Sequence, residues 1–454
     1  MGNKMYALLA MALFAVSAAA QSTATAPDIA EKADQYMKAR LDAKNVGGTI
    51  LMIKDGKPLI AKGYGTADAA AGTTNSADTI FRIGSITKQF TAAAVLLLHE
   101  DGKLNVQDPF CSYMESCPEA WKPVTIRQLA TMSSGIPSFT GLPEFGELRK
   151  KDMRPAESIA LVSGLPLKAR PGEVFEYSNT NYIILGMIIE KVSGRSYEQF
   201  LQERLIGPLK LENTGYDHGK ERIKGSALGY SLKDDEVVPA AKASMMVPFS
   251  AGGLYSTVGD LYKWQTALLD GKVFKKAETL TMMLTPNKND YAFGLIVATD
   301  ARGRKRVTHG GSIEGFLSDA AYFPDEKLFI AVLVNNDRAP ASDVLRSLTA
   351  IYYGEPYSIP KKRVAVKVDP AKLDALVGEY ELAPTLKFKF TREGDVLMLE
   401  PPGQSKVPVF AESETDFFLK VVDATVKFLK DESGKVTGLE FTQAGRTTRA
   451  ARKE

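Results

Sequence analysis

The chain is poor in the residues that most often announce a function. It has two cysteines, three histidines and two tryptophans among 454 residues. The histidines, His99, His218 and His309, are scattered, and nothing near them has ligand spacing, which argues against a metal site. A long basic run is also missing. The formal net charge is +3, and the densest basic cluster, Lys361-Lys362-Arg363, sits beside Pro360 and reads as solvated linker, so a nucleic-acid partner is not indicated. Beyond the first twenty residues no apolar run is long enough to span a bilayer. Internal repeats and low-complexity tracts are absent too. What remains is the composition of an ordinary soluble globular protein, 44% apolar and 24% charged, long enough for a large catalytic domain and a smaller one.

The N-terminus is a separate matter. "MGNK" carries Lys4, "MYALLAMALFAV" is a short apolar core, and "SAAA" supplies small residues before Gln21. That is the layout of a secretory signal peptide over residues 1–20, cut near Ala20. It predicts a periplasmic or secreted protein with no stable membrane span after cleavage. No cysteine follows the cleavage point, so a lipid anchor is not indicated. In an oxidising compartment Cys111 and Cys117 read as one disulfide, contributing roughly 2 kcal/mol by closing a small loop. Two free buried thiols are the alternative, if the loop holds them apart.

Hydrophobic periodicity sets out the organisation. Residues 47–66 read as two strands around Lys54-Asp55-Gly56-Lys57, an Asp-Gly hairpin signal. From Ser85 to about Glu100, "SITKQFTAAAVLLLHE" is apolar nearly all round, which predicts a buried helix ended by Asp101-Gly102. Between about 105 and 250 the pattern is mostly helical, and from 291 the strand period returns. Strands, a long helical insertion, then strands predict an α+β fold: an antiparallel sheet flanked by helices, with an inserted helical subdomain. Residues 356–368 are rich in proline and charge and read as a linker. Over 369–454, short alternating runs around Leu386, Val396, Val426 and Val436 predict a small β-barrel or sandwich.

Three motifs carry chemistry. Ser85 and Lys88 stand three apart, so on a helix they share a face. An apolar setting lowers a lysine pKa, a neutral amine can take a hydroxyl proton, and a helix N-terminus favours a developing oxyanion. By itself the pair also fits an N-cap serine beside a snorkelling lysine, and a second match, Ser358 to Lys361, lies in the linker where no helix can join the two. Tyr177-Ser178-Asn179 sets a phenol and an amide two apart before a helix, though Asn179 alone fits an N-cap. His309-Gly310-Gly311 ends a strand, where glycines let a backbone approach closely, though alone it fits a turn.

In this order and spacing the three together resemble the serine β-lactamase and penicillin-binding-protein superfamily, and more closely its class C β-lactamase-like branch of esterases and D-peptidases. Supporting stretches are "VTIRQLATMSSGIPSF", "GEVFEYSNTNYIILGMIIEKVSG", "AGGLYSTVGDLYKW" and "HGGSIEGF". The resemblance implies a hydrolase domain over 27–355 and a lipocalin-like β-barrel at the C-terminus. It implies that Ser85 is the acylated nucleophile, that Lys88 and Tyr177 share the base and acid work, and that Asn179 bonds the substrate or Lys88. His309 and Gly311 would face the substrate, and the N–H groups of Ser85 and Ser312 would form an oxyanion hole. It implies a small-molecule or peptide substrate and no metal or organic cofactor. His309 departs from the lysine of β-lactamases and many D,D-peptidases. Mostly neutral near pH 7.5, it offers no fixed cation for a substrate carboxylate. The expectation is therefore an esterase, amidase or D-peptidase, with a penicillin-binding D,D-peptidase or β-lactamase as the alternative. A Ser-His-Asp enzyme of the α/β type is disfavoured, because the chain has no Gly-x-Ser-x-Gly elbow. A non-catalytic binding protein on the same fold is the rival of another class, and the intact motifs count against it.

Overall fold

A computed structural model describes residues 25–42, 47–233, 236–337, 340–361, 363–383, 386–401, 406–420, 424–443 and 446–453. The expected signal peptide lies outside them. Helix α1 (Ala26–Asp42) leads into strands β1 (Gly48–Lys54) and β2 (Lys57–Tyr64). Helices α2 (Thr87–Glu100), α3 (Asn179–Ser193) and α4 (Val258–Leu269) follow, then strands β3 (Ile296–Thr299), β4 (Lys305–Ile313), β5 (Phe316–Phe323) and β6 (Leu328–Val334), and helix α5 (Ala341–Tyr353). The six strands form one antiparallel sheet in the order β3-β4-β5-β6-β1-β2. The chain therefore closes its sheet by pairing its earliest strand with its last in this domain, Gly48 opposite Val334.

Strands β1 and β6 read as unbroken apolar runs because both faces of the sheet are covered. On one face Ile50, Met52, Ile330 and Val332 pack with Ala33 and Met37 of α1 and Val344 and Leu348 of α5. On the other, Leu51, Ile53, Phe329 and Ala331 join the larger core around α2, α3 and α4. The period of two along each strand sends neighbours to opposite faces. The β1–β2 turn is the predicted Asp-Gly type, with Asp55 at φ 51° and Gly56 at φ 77°.

Helix α2 is buried along nearly its whole length, from Thr87 to Leu98, and Phe90 stacks on Trp264 of α4 with ring centroids 4.2 Å apart. It begins at Thr87 rather than Ser85, because Gly84–Ile86 form a preceding 3-10 turn. The mostly helical region expected between about 105 and 250 also contains a two-stranded hairpin, Tyr230–Lys233 with Glu236–Pro239, which turn residues alone did not reveal. Cys111 and Cys117 are joined as a disulfide with their Cα atoms 5.6 Å apart.

Beyond the linker, eight strands between Gly378 and Arg452 close into an antiparallel barrel, the last pairing with the first at Tyr380 and Arg452. Closure removes every free edge. The interior is filled: Tyr380, Phe390, Phe417 and Phe428 sit with ring centroids 5.1 to 5.5 Å apart. The barrel is thus a packed body with its own core, of the small kind in which side chains occupy the centre.

Candidate active site

The site is assembled by a close approach of two backbones. Gly84, at φ +49°, opens the 3-10 turn, and a Cβ there would lie 2.8 Å from the Ser312 nitrogen of β4. A Cβ on Gly311 would meet the Ile83 carbonyl oxygen at 2.0 Å. Ser318 of β5 fastens the same point, donating to the Ile83 carbonyl at 2.8 Å. Both glycines are therefore required for β4 to lie against the turn that carries Ser85. At Gly311 the absent side chain makes room for the Ile83 carbonyl, so any substrate contact there is one its main chain makes.

Lys88 lies one turn behind Ser85 and has no exposed surface. Its Nζ is 2.9 Å from Ser85 Oγ, 2.9 Å from Asn179 Oδ1 and 2.7 Å from the Ala251 carbonyl oxygen. Burial holds its pKa well below the usual lysine range. A neutral amine has two hydrogens and one lone pair. The amide and carbonyl oxygens can only accept, so they take the two hydrogens, and the lone pair is left for the Ser85 hydroxyl. Asn179 is held in turn, its Nδ2 donating to Thr140 Oγ1 at 3.0 Å and its backbone N–H to Ser138 Oγ at 3.0 Å. Asn179 is the first residue of α3 and not its cap; the preceding Ser178 makes no capping bond. Ser138, from another loop, serves the helix end instead.

The Tyr177 phenol lies near enough to Ser85 for that hydroxyl to act on its proton affinity. The residue as a whole is 36% exposed, but its hydroxyl is crowded, and burial pushes its pKa up to about 12. It is therefore a neutral phenol, an acid and hydrogen-bond donor rather than a resting base. Lys88 Nζ lies 5.0 Å from its ring centroid.

His309 is buried behind these groups. Its Nδ1 lies 2.6 Å from the Gly310 carbonyl oxygen, which can only accept, so Nδ1 carries the proton and Nε2 accepts from the Tyr291 hydroxyl at 3.1 Å. Burial, with the Lys88 amine nearby, pulls its pKa down to about 4. The ring is neutral at neutral pH and is 5% exposed. Ser85, Asn179 and Ser312 open into a cavity of ≈ 370 Å³, whose walls include Thr140, Phe145, Arg149, Ser231, Ser244 and Glu314. Lys88 and His309 lie outside its lining. Of the groups that hold the site, the Ala251 carbonyl, Thr140, Tyr291 and Glu314 escaped the sequence reading. The stretches "AGGLYS", "YAFGLIV" and "HGGSIEGF" gave a signal, as stretches rather than as roles.

A family model described as beta-lactamase matches residues 29–352. The chain belongs to the β-lactamase family of serine hydrolases. A second family model, a domain of unknown function (DUF3471), matches residues 362–452, the region of the barrel. Penicillin-binding protein 4* of Bacillus subtilis is 27% identical over 409 residues, 85% of this chain and 90% of that protein. Among solved structures, the octameric penicillin-binding protein homologue from Pyrococcus abyssi covers 93% of this chain and 99% of its own, with 28% identity and a TM-score of 0.66. A D-stereospecific amidohydrolase from Streptomyces sp. covers 71% of this chain and 98% of its own, with 26% identity and a TM-score of 0.62. Family membership accounts for the whole architecture of sheet and helices. Among the described residues no helix is long and apolar enough to cross a membrane.

Proposed function

We propose that this β-lactamase-family chain is an exported hydrolase that cleaves an ester or amide through an acyl-enzyme on Ser85. The observation that carries the reading is the placement of Lys88: an unexposed amine 2.9 Å from Ser85 Oγ and within hydrogen-bond distance of Asn179 Oδ1 and the Ala251 carbonyl, oxygens that would take both hydrogens of its neutral form and leave the lone pair for Ser85. In the first step Lys88 takes the hydroxyl proton as Oγ bonds to the substrate carbonyl carbon. The oxyanion forms between the N–H groups of Ser85 and Ser312, an arrangement that contributes a few kcal/mol to acyl transfer. Tyr177, a neutral phenol beside Ser85, passes a proton to the leaving group and is restored from Lys88. Water then releases the acyl group by the same steps in reverse. Export rests on the N-terminal pattern of residues 1–20 and agrees with the Cys111–Cys117 disulfide. The likeness to penicillin-binding proteins supports a D,D-peptidase as the second reading, and the buried, neutral His309 weighs against it.

The test is the intact mass of the mature protein with a fluorophosphonate or a penicillin, beside Ser85→Ala. One adduct that is lost in the variant is expected. A stable penicillin adduct would move the reading to a peptidoglycan peptidase, and no adduct with either reagent would leave a binding protein.

A further inference from the structure

Resting on the acyl-enzyme reading above, we infer that Glu314 makes the cavity selective for acyl groups that carry a positive charge, reading the α-ammonium of an aminoacyl ester or amide. Three observations support it. Glu314 and Gly315 form the two-residue tip joining β4 to β5, where Ile313 pairs with Phe316. Glu314 is thus two residues beyond Ser312, about 7 Å along the strand. An α-ammonium is two bonds from the carbonyl carbon that Ser312 would polarise, within reach of a glutamate at that distance.

The tip is also fixed in place. A Cβ on Gly315 would lie 2.6 Å from both Ala240 Cβ and Gly229 Cα, so the turn is seated against the Tyr230–Pro239 hairpin. Glu314 Oε1 accepts from Arg149 at 2.8 Å, and the Arg149 carbonyl oxygen accepts from the Ser244 backbone N–H at 2.9 Å. The glutamate side chain is 16% exposed and held from one side only. Among the described residues no second donor reaches it, so Oε2 is available to a ligand cation. A carboxylate held in place by one guanidinium loses little side-chain freedom when a second cation arrives.

The charge balance of the cavity points the same way. Among the described residues lining it, Glu314 and Asp337 are acidic and Arg149 is the one cation. Of the basic groups nearest the reacting atoms, His309 is held neutral by burial, and burial pulls the Lys88 amine well below the usual lysine range. A substrate carboxylate would meet two carboxylates and find Arg149 already engaged. A substrate ammonium meets a net negative wall.

The experiment compares two isosteric acyl groups, alanyl with its ammonium and lactyl with a hydroxyl in its place, on one p-nitroanilide leaving group, each as both enantiomers. In the wild type, kcat/KM for the better alanyl enantiomer is expected to exceed its lactyl counterpart by about tenfold or more. Glu314→Gln should bring the ratio to within about threefold, chiefly through loss on the alanyl side, in a protein whose Ser85 is still labelled by a fluorophosphonate. A ratio unchanged in the labelled variant overturns the role of Glu314. If the variant fails to label, the wild type decides: equal rates on the two acyl groups overturn the inference. Absence of any turnover together with absence of Ser85 labelling is a failure of the acyl-enzyme reading itself, and is distinguished by the labelling.

Discussion

At Lys88 the cost of burying an amine becomes its function. Leaving it charged with no exposed surface would be expensive, and its three neighbours match the hydrogen-bonding capacity of the neutral form beside a serine hydroxyl. Replacing Lys88 by Met leaves the shape and removes the proposed base; the rate of fluorophosphonate labelling at Ser85 is expected to fall by about 10²–10⁴. His309 carries a second prediction. Its pKa near 4 lies below the unfolded value, so the unfolded chain binds the extra proton first, and this residue's share of stability is lost as pH falls from about 6.5 to about 4. The size is about 3 kcal/mol by linkage. Asp319, opposite Gly310 in the sheet, works against it: burial raises its carboxyl to about 6, so its burial penalty is relieved over nearly the same interval as pH falls. The wild-type curve therefore mixes opposite slopes. Chemical denaturation of His309→Asn at pH 7 and pH 4.5 should show a smaller loss of stability on acidification than the wild type; an equal loss would exclude this linkage.

At the scale of elements, the site depends on how β4 meets the turn before α2. Ser85 and Ser312 are 227 positions apart and are brought together because Gly84 and Gly311 offer no Cβ where the two backbones meet. Gly311→Ala places a methyl against the Ile83 carbonyl, which is backbone and cannot swing aside. It is expected to cost about 2–4 kcal/mol by thermal or chemical unfolding. It should also lower kcat more than KM, since what is displaced is the Ser312 N–H that we propose serves the transition state. Gly310 provides the control. A Cβ there meets the Ser318 carbonyl oxygen at 3.4 Å, an ordinary contact, so Gly310→Ala should be far milder by both measures.

Over the whole molecule the chain divides its core three ways. Two clusters cover the two faces of the six-stranded sheet, and the third fills the barrel without a residue from the other two. The barrel's strands are closed on themselves and its rings pack on one another. A fragment of residues 363–453 is therefore expected to fold alone, with a cooperative unfolding transition and dispersed amide resonances. A non-cooperative transition would mean that the barrel depends on the hydrolase domain. The linker supports the same division. Its start stays with the hydrolase domain, Tyr357 packing edge-on against Tyr36 of α1, while further on Arg363 pairs with Glu412 and the Val366 N–H donates to the Ala411 carbonyl of the barrel.

Periodicity and turn chemistry alone determined the elements with strong local signals. The Asp-Gly hairpin, the all-apolar helix after Ser85 and the alternating runs beyond the linker are each decided within about a dozen residues. The order of Ser85, Lys88, Tyr177 and Asn179 along the chain was equally legible, because spacing three on a helix and two before one are local relations. What only the tertiary structure decided depends on contacts between distant segments. The start of α2 at Thr87 follows from the approach of β4, the neutral state of His309 from its enclosure beside Tyr291, and the role of Gly311 from the position of Ile83. Glu314 belongs to the same group. As a sequence letter it is one acid among 54 acidic residues, and it acquires meaning only when Arg149 and the Tyr230–Pro239 hairpin fix it at the mouth of the cavity. Burial and close backbone approach are properties of the packed chain, and no window of sequence contains both partners.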